Sequence, residues 1–353
     1  MPKITVDLKE KTYTIDIARG LLKRLGTTVR KLSLAQRVAI ITDATVGELY
    51  GQVARESLEE AGFQVVVITI APGEEHKNLA TLGAVYEELS QAALTRQDLV
   101  ITLGGGVVGD LGGFAAASYL RGIDFIQVPT TVLAQIDSSV GGKVAVDLPS
   151  GKNLVGSFHQ PLGVLIDPNL LSSLSVRFLH DGLAEVIKTA AFGDASFFAF
   201  LEGCADDAAI LANIEHIIAT CCAIKAKVVS EDELDQGARM MLNFGHTIGH
   251  GVEQSLGYGY YTHGEGVAIG MVSITKVTEA AGKTKAGTAQ RLEALLQRFN
   301  LPTTVELHQE QLLEAMTRDK KKRGDNITVV ILTELGQGKL EKIPFSALPK
   351  YIG

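Results

Sequence analysis

Residues 98–120 read DLVITLGGGVVGDLGGFAAASYL and combine a strand pattern, a glycine-rich turn and a helix pattern. The apolar run from Asp98 to Leu103 predicts a short buried strand. Glycines follow directly, and a helical pattern then continues to Leu120. A buried strand that leads through a tight turn into a helix is the repeating unit of a parallel sheet covered by helices. The segment therefore predicts an α/β fold.

The same alternation of apolar runs and amphipathic helices extends through the first half of the chain. Further strands are predicted at residues 38–42, 63–70, 125–128 and 164–166, with helical patterns that end near residues 61 and 93. Because the strand runs are continuously apolar, they indicate a parallel sheet that is covered on both faces. Ahead of them, residues 4–8 and 13–17 alternate apolar and polar side chains and predict a β-hairpin.

After Pro168 the pattern becomes helical and stays so to about Leu296, apart from glycine breaks. A late β-rich piece, residues 327–332 with 340–343, predicts a small hairpin. The chain is therefore expected to form an N-terminal Rossmann-like parallel-sheet domain, residues 1–174, followed by a mainly α-helical domain, residues 175–353. Ligand sites tend to lie at domain interfaces, so we expect the active site in the cleft between these two domains.

Bulk properties exclude several classes of protein. A length of 353 residues suits two domains, and the net charge of −7 argues against a nucleic-acid partner. No apolar run reaches the ~20 residues that a membrane span needs. The N-terminal residues MPKITVDLKEK lack the apolar core of a signal peptide. Three cysteines, an odd number, suit a reducing compartment, so we expect a cytoplasmic protein.

The glycine-rich turn has the spacing of a nucleotide-binding loop. Gly104, Gly106 and Gly109 form G-x-G-x-x-G between a predicted strand and a predicted helix, where helix N–H groups favour a pyrophosphate. Two features depart from the usual fingerprint: the loop follows a later strand, and no acidic residue closes the next strand. Asp43, after an earlier strand, is the better candidate for a ribose hydroxyl. A tight turn without a ligand stays an alternative.

A histidine-rich segment in the second half predicts a metal site. Asn243, His246 and His250 are spaced i, i+3 and i+7 and would share one face of a helix, with Arg239 a turn earlier. Glycines at positions 257 and 259 end that helix, so we expect His263 to return from a loop. Two imidazoles one turn apart and a third after a turn suit a metal ion.

The metal site needs a carboxylate from elsewhere, and Glu185 offers one. Thr247 follows His246 where the metalloprotease pattern requires glutamate, which excludes that mechanism. Glu185 and Lys188 are spaced i, i+3 on a helix, so Lys188 would face a substrate while Glu185 binds the metal. A hydrogen-bonded histidine face and an ordinary surface ion pair remain the simpler alternatives.

Residues 129–161 form a long segment that is rich in glycine, serine and lysine. Its helix signal is low, and about 30 residues is long for a connection, which predicts a functional loop. Solvated lysines on a surface loop are the alternative. Six basic residues stand among the glycines and histidines of an acidic chain and suggest a pocket for a phosphorylated, carboxylated metabolite: Arg121, Lys143, Lys152, Lys188, Lys225 and Arg239.

Several ordered blocks together resemble the 3-dehydroquinate synthase family of the sugar phosphate cyclases. The blocks are PGEEHK (residues 72–77), GGGVVGDLGGFAAASYLRGI (104–123), the segment 127–161, DGLAEVIK (181–188), NFGHTIGHGVE (243–253) and HGEGVAIGM (263–271), with a weaker match around Asp319 to Lys321. Gly266 stands where alanine is common in the family. The resemblance implies a homodimeric enzyme that uses NAD and a divalent metal, zinc or cobalt, to cyclise a phosphorylated sugar acid.

The resemblance also assigns residues to each part of the site. The metal ligands would be Glu185, His246 and His263, with His250 beside the metal. NAD contacts would come from Asp43, Glu74, Lys77, Gly105, Gly106, Val107, Val108, Gly109, Asp110, Thr130, Thr131, Lys143 and Lys152. The substrate would meet Arg121, Asp137, Lys143, Asn153, Lys188, Lys225, Arg239, Asn243, His250 and Lys320.

Three other functions are compatible with parts of this pattern. Another sugar phosphate cyclase, producing a 2-deoxy-scyllo-inosose or a valiolone, would share the NAD and metal sites and differ in substrate contacts. A metal-dependent polyol dehydrogenase of the glycerol dehydrogenase kind would share the two-domain layout but accumulate NADH. An NAD-binding sensor would hold the ligand without releasing phosphate.

Overall fold

The computed structural model of the protein describes residues 2–257, 260–307, 310–313 and 326–352. The chain forms two compact units. The first unit consists of Met1–Leu174 and Lys225–Leu234, and the second of Ser175–Ile224 and Asp235–Gly353. The second segment of the first unit, Lys225–Leu234, makes polar contacts with the rest of that unit. For example, the amide of Asp7 donates to Ser230 Oγ at 3.1 Å.

The first unit is built on a seven-stranded sheet with the order β1-β2-β9-β6-β5-β3-β4. The strands of this unit are β1 (Lys3–Val6), β2 (Tyr13–Ile17), β3 (Arg37–Asp43), β4 (Gln64–Ile70), β5 (Leu99–Gly104), β6 (Asp124–Pro129), β7 (Lys143–Leu148), β8 (Gly151–Phe158) and β9 (Gly163–Ile166). β1 and β2 form the predicted antiparallel hairpin, and every other pairing in the seven-stranded sheet is parallel. The predicted strands and the parallel sheet are confirmed.

Among the described residues, the α-helices whose bounds are defined at both ends follow the strands of the sheet and then make up most of the second unit. They are α1 (Leu25–Leu32), α2 (Ala44–Val46), α3 (Gln52–Glu60), α4 (Leu79–Gln91), α5 (Gly106–Ser118), α6 (Val176–Gly193), α7 (Ala195–Gly203), α8 (Asp207–Ala212), α9 (Ile214–Glu231), α10 (His246–Leu256), α11 (His263–Ala280) and α12 (Thr288–Arg298). Within the described ranges, no helix combines the length and apolarity that crossing a membrane requires.

Apolar side chains cover both faces of the sheet. Val38 and Ile40 of β3 belong to one buried cluster, which includes Leu25 of α1 and Leu58 of α3. The neighbouring residues of β3, Ala39 and Ile41, belong to a second buried cluster with residues of α4 and α5. Successive side chains of a strand point to opposite faces, so a continuously apolar strand must be buried on both sides, as the sequence predicted.

The strand order changes direction beside β3. The chain passes from β3 to β4 on one side and then returns to place β5 on the other side of β3. Ligands of open parallel sheets bind outside the carboxyl ends of the strands where the order reverses in this way. The glycine loop after β5 and Asp43 at the end of β3 both lie at this position, because Thr42 is aligned with Leu103.

The prediction of a long loop at residues 129–161 is wrong. The segment contains a π-helical turn, Ala134–Ser138, followed by the antiparallel hairpin β7–β8. Val144, Ala145 and Val146 are buried, and Val144 packs so closely on α5 that a Cβ at Gly113 would lie 2.5 Å from its Cγ1. Two of the glycines that lowered the strand signal, Gly141 and Gly142, adopt positive φ just before β7. Gly156 of β8 allows a close strand–strand contact, since a Cβ there would lie 2.3 Å from the carbonyl oxygen of Val144.

In the second unit, α6 is buried along most of its length, from Leu179 to Phe192. It packs against α11, which in turn packs against α10. Strands β10 (Asn326–Glu334) and β11 (Gln337–Pro344) form the antiparallel hairpin that the sequence predicted.

The contact between α10 and α11 is made through glycines. A Cβ at Gly249 of α10 would lie 2.8 Å from the carbonyl carbon of Gly266, and a Cβ at Gly270 of α11 would overlap the carbonyl oxygen of Gly245. The two backbones therefore approach more closely than side chains would allow.

The histidine segment departs from the sequence prediction in two ways. Arg239 and Asn243 lie in a separate 3₁₀ turn, Ala238–Asn243, because Gly245 adopts a left-handed conformation with φ of 80° and interrupts the helix. The predicted continuous face from Arg239 to His250 is therefore wrong. His263 is also not in a loop: it is the first residue of α11, which Thr262 and Glu265 start with a reciprocal capping box.

The glycine contact gives a matched pair of substitutions. Gly270→Ala should destabilise the second unit, because its Cβ meets backbone that cannot move away, and over-packing costs about 1–3 kcal/mol or more. Gly266→Ala should cost clearly less, because its Cβ would lie 3.2 Å from the Gly249 carbonyl oxygen. Thermal denaturation of the two metal-free variants tests this, and equal midpoints would contradict the close contact.

Candidate active site

Three side chains from three helices meet in the second unit. Glu185 of α6, His246 of α10 and His263 of α11 place their ligand atoms within 4.8 Å of one another. The Nε2 atoms of both histidines lie 3.7 Å from Glu185 Oε1. The Glu185 side chain is only 1% exposed, whereas His263 is 29% exposed. One buried oxygen and two imidazole nitrogens thus face a common point, and solvent can reach that point on the side of His263.

Hydrogen bonds fix the tautomer of both histidines. His246 Nδ1 lies 3.2 Å from the carbonyl oxygen of Phe244, and His263 Nδ1 lies 3.2 Å from Glu253 Oε1. Both partners accept, so in the neutral form of each ring Nδ1 carries the proton and Nε2 presents its lone pair. Metal-bound histidines usually donate their second ring N–H in this way.

Sequence reasoning missed Glu253. Its spacing of i+7 from His246 on α10 was a usable signal, since such residues share a helix face.

The protonation states also suit metal binding. Burial, followed by the charge of Lys188, lowers the pKa of His246 well below its ordinary value, which keeps its ring neutral. Burial is also the largest influence on His263 and lowers its pKa, but Glu253, Glu185 and Asp181 together raise that pKa above the ordinary value. Binding of a metal at His263 is therefore coupled to loss of its proton.

Two nitrogens and one carboxylate oxygen form a ligand set that fits zinc or cobalt. Catalytic zinc sites keep three protein ligands and leave further positions for water or substrate. Zinc and cobalt both accept imidazole and carboxylate donors, and such a site does not by itself select between them.

His250 stands beside this group. Its ring centroid lies 5.4 Å from that of His246 and 5.8 Å from that of His263, and His250 is exposed. His250, Glu253 and His263 form a second, overlapping group with metal-ligand atoms. We favour the first group, because Glu253 is already the acceptor that orients His263 and because both Nε2 atoms point at Glu185.

The remaining predicted substrate residues of the second unit differ in exposure. Lys188 is buried and donates a hydrogen bond to Glu185 Oε2. Arg239 is buried and Asn243 is exposed. Lys320 lies outside the described residues.

In the first unit, the glycine loop leads from β5 into α5. A Cβ at Gly104 would lie 2.6 Å from Val108 Cβ, and one at Gly109 would lie 2.7 Å from Gln127 Oε1 on β6. The third glycine of the pattern thus allows close helix–strand packing, as in dinucleotide-binding folds. Gly105 precedes the first residue of α5, so the N–H groups at Gly106 and Val107 begin a 13-residue helix that favours an anion.

Other predicted nucleotide residues lie near this loop. The amide of Thr130 donates to the Gly104 carbonyl oxygen at 2.9 Å, and Thr131 Oγ1 accepts from the amide of Ala134 at 3.1 Å. Asp43 caps α2, because its Oδ1 accepts from the amides of Thr45 and Val46 at 2.9 and 3.0 Å. Its carboxylate is therefore held at the end of β3.

A polar network joins four other predicted residues. Lys77 Nζ donates to Asp110 Oδ2 at 2.6 Å and to Asn153 Oδ1 at 2.5 Å, and Glu74 Oε1 lies 3.7 Å away. Burial is the largest influence on Lys77 and lowers its pKa, but Asp110 and Glu74 together raise that pKa above the ordinary value. Asn153, predicted to bind substrate, thus belongs structurally with the predicted NAD residues.

The basic residues of the first unit do not form one cluster. Lys225 donates to the carboxylate of Asp137 and, at 2.6 Å, to its carbonyl oxygen. Lys143 pairs with Phe158, six residues along β8 from Lys152, so the Cα atoms of the two lysines are about 20 Å apart. Arg121 follows the far end of α5, about 20 Å from the glycine loop.

Comparison with known structures places this fold among the sugar phosphate cyclases. A 2-deoxy-scyllo-inosose synthase complexed with carbaglucose-6-phosphate, NAD⁺ and Co²⁺ is 25% identical, with a TM-score of 0.89 over 99% of this chain and 98% of that one. A 2-epi-5-epi-valiolone synthase from Streptomyces hygroscopicus, with NAD⁺ and Zn²⁺ bound, is also 25% identical, with a TM-score of 0.87 over 95% and 94% of the two chains. The predicted fold class is confirmed.

Sequence comparison narrows the class to one family. Residues 67–181 match the family described as 3-dehydroquinate synthase N-terminal, and residues 182–322 match 3-dehydroquinate synthase C-terminal. The 3-dehydroquinate synthase of Enterococcus faecalis is 48% identical over 99% of this chain and 98% of its own. The chain therefore belongs to the 3-dehydroquinate synthase family, as the resemblance implied.

The metal ligands can be tested by metal content. Glu185→Gln should lose most of its bound zinc, because a neutral amide is a weaker ligand than a carboxylate. His246→Ala should do the same, whereas His250→Ala is the matched control and should retain the metal. Elemental analysis of the purified variants measures this. Loss of zinc from His250→Ala with retention in His246→Ala would favour the overlapping group instead, and equal loss from both variants would contradict the assignment.

The role of Asp43 can be separated from its capping bonds. Asp43→Ser keeps a side-chain oxygen that can cap α2 but removes the carboxylate. We expect the dissociation constant for NAD to rise about tenfold, which corresponds to ~1.4 kcal/mol. Calorimetric titration with NAD measures the change, and an unchanged melting temperature serves as the control. Unchanged affinity would remove Asp43 from the nucleotide site.

Proposed function

We infer that the protein catalyses the reaction of its family. It converts 3-deoxy-D-arabino-heptulosonate 7-phosphate to 3-dehydroquinate and phosphate, a step of the shikimate pathway to the aromatic amino acids. The observation that carries this proposal is that Glu185, His246 and His263 meet around one point. The same chain also has a glycine loop beside the place where the strand order of its parallel sheet reverses.

Two bound groups supply chemistry that side chains lack. When bound, the divalent metal polarises a substrate hydroxyl and NAD accepts and later returns a hydride, so the cofactor ends as it began. We assign the metal to Glu185, His246 and His263. We assign NAD to the loop Gly105–Asp110 with Asp43, Glu74, Lys77, Thr130, Thr131, Lys143 and Lys152.

The protein keeps the metal site ready for binding. Lys188 holds Glu185 Oε2, so the other carboxylate oxygen is the one that faces the two imidazoles. The charge of Lys188 also helps to keep His246 neutral. An ammonium group offers three donors. We therefore propose that Lys188, which the sequence predicted to face the substrate, donates to the substrate as well as to Glu185.

Basic residues orient the substrate, and we propose that orientation is their main contribution. The substrate carries a phosphate and a carboxylate, which suit arginine and lysine donors. The proposed set is Arg121, Asp137, Lys143, Asn153, Lys188, Lys225, Arg239, Asn243, His250 and Lys320. Asp137 accepts from Lys225 and thereby fixes the position of that ammonium group.

The reaction needs little acid–base help from the protein. Oxidation of one ring hydroxyl to a ketone makes the neighbouring C–H acidic, and loss of phosphate follows. The substrate's own phosphate accepts that proton, so a strong protein base is not required. After the hydride has been returned to the ketone carbon, ring opening and an intramolecular aldol closure give the carbocycle. We also propose that the enzyme works in the cytoplasm as a homodimer, as the family resemblance implies.

One assay separates the main alternatives. Incubation with the heptulosonate phosphate, NAD and zinc should release phosphate while the absorbance of NADH stays flat. A polyol dehydrogenase would accumulate NADH, and a sensor would release no phosphate. The Glu185→Gln variant is the control for contaminating phosphatases and should release none.

Phosphate release alone does not distinguish one cyclase from another, so the product must be identified by mass and NMR. Identity of 48% to a 3-dehydroquinate synthase, against 25% to the inosose and valiolone synthases, favours 3-dehydroquinate. A different carbocycle as the main product would overturn the substrate assignment while leaving the reaction class intact.

A further inference from the structure

One face of α6 contacts the first turn of α11 in register. Arg177, Asp181 and Glu185 are spaced i, i+4 and i+8 along α6, and they meet three consecutive residues of α11. Arg177 pairs with Glu265, Asp181 accepts a hydrogen bond from the amide of Gly264, and Glu185 faces His263. The candidate metal site lies at the inner end of this row.

The middle contact is short and buried. The amide of Gly264 donates to Asp181 Oδ1 at 2.6 Å, and Asp181 is 7% exposed. A Cβ at Gly264 would overlap the carbonyl oxygen of Asp181, so the two helices are in backbone contact here. Gly264 directly follows His263, so this hydrogen bond fixes the backbone next to a proposed metal ligand.

The hydrogen bond also satisfies a group that the helix cannot satisfy itself. The first amides of a helix have no partner within it. Thr262 caps the amide of Glu265, whereas the amide of Gly264 is bonded from outside, by α6. A carboxylate that accepts from a helix N-terminal amide makes a charge-assisted bond, stronger than a neutral one.

We propose that Asp181 is a positioning residue for the metal site and acts through His263. The proposal rests on the assignment of His263 as a metal ligand. By fixing the backbone next to His263, Asp181 holds its imidazole at the place where Nε2 faces Glu185. Glu253 orients the same ring from the other nitrogen, so the ring is constrained both at its backbone and at its edge.

The outer contact of the row provides a matched control. Arg177 donates to Glu265 at 3.0 and 2.8 Å, but its side chain is 57% exposed. Exposed ion pairs of this kind contribute little. Arg177→Ala therefore removes a contact between the same two helices while the bond to the Gly264 amide remains.

The test measures zinc affinity by competition with a chromogenic chelator on the folded full-length protein. Asp181→Ala should weaken zinc binding about 10- to 100-fold, the usual cost of removing a group that orients a metal ligand. Asp181→Asn keeps an acceptor oxygen of the same shape and should retain most of the affinity. Arg177→Ala should bind zinc like the wild type.

A second readout separates positioning from general stability. The absorption spectrum of the cobalt-loaded protein reports ligand geometry, so Asp181→Ala should change it while Asp181→Asn and Arg177→Ala should not. If the alanine variant does not fold, Asp181→Ser replaces it, since a serine hydroxyl is too short to reach the Gly264 amide.

Three results would overturn the proposal: wild-type zinc affinity in Asp181→Ala, affinity in Asp181→Asn as low as in Asp181→Ala, or equal losses in Asp181→Ala and Arg177→Ala. Failure of the metal assignment itself would look different. In that case the wild-type protein would bind no zinc, or Glu185→Gln would bind it as well as the wild type.

Discussion

The second unit depends on the close backbone contact between α10 and α11. Gly249 and Gly270 let the two helices approach until a Cβ on either would strike the partner's backbone. The ring centroids of His246, the first residue of α10, and His263, the first residue of α11, lie 5.0 Å apart beside this contact. α6 packs on α11 and adds Glu185 from a third direction. A metal site built on helix backbones is held more firmly than one on loops.

Burial of charge gives the same site its chemical character. Glu185 and Lys188 are both buried and bonded to each other. A buried ion pair of this kind is weak support for stability, because removal of both charges from water is costly. The ion pair is better explained as part of a cation site. It fixes the Glu185 carboxylate, and the charge of Lys188 helps to keep the neighbouring His246 neutral. The pKa of His263 is raised by carboxylates that a metal would share.

The strand order of the first unit determines where the proposed nucleotide loop lies. The loop follows a late strand, which departs from the usual order of the fingerprint along the chain. In the sheet, that strand is the direct neighbour of β3, and the order reverses between them. Asp43 and the glycine loop are thus adjacent although Asp43 and Gly104 are 61 positions apart in the chain. Spatial order explains both departures from the sequence pattern.

The sequence alone determined the elements and the chemistry of the residues. Continuous apolar runs specified strands buried on both faces, and the family blocks named Glu185, His246 and His263 together. Local patterns could not show that Gly245 breaks the helix before His246, that residues 143–158 fold into a hairpin, or that Glu253 and Asp181 support His263. Those features depend on which backbones lie in contact, and such contacts join residues far apart in the chain. Only the tertiary structure fixes them, because periodicity reports how one segment is buried and not which segment buries it.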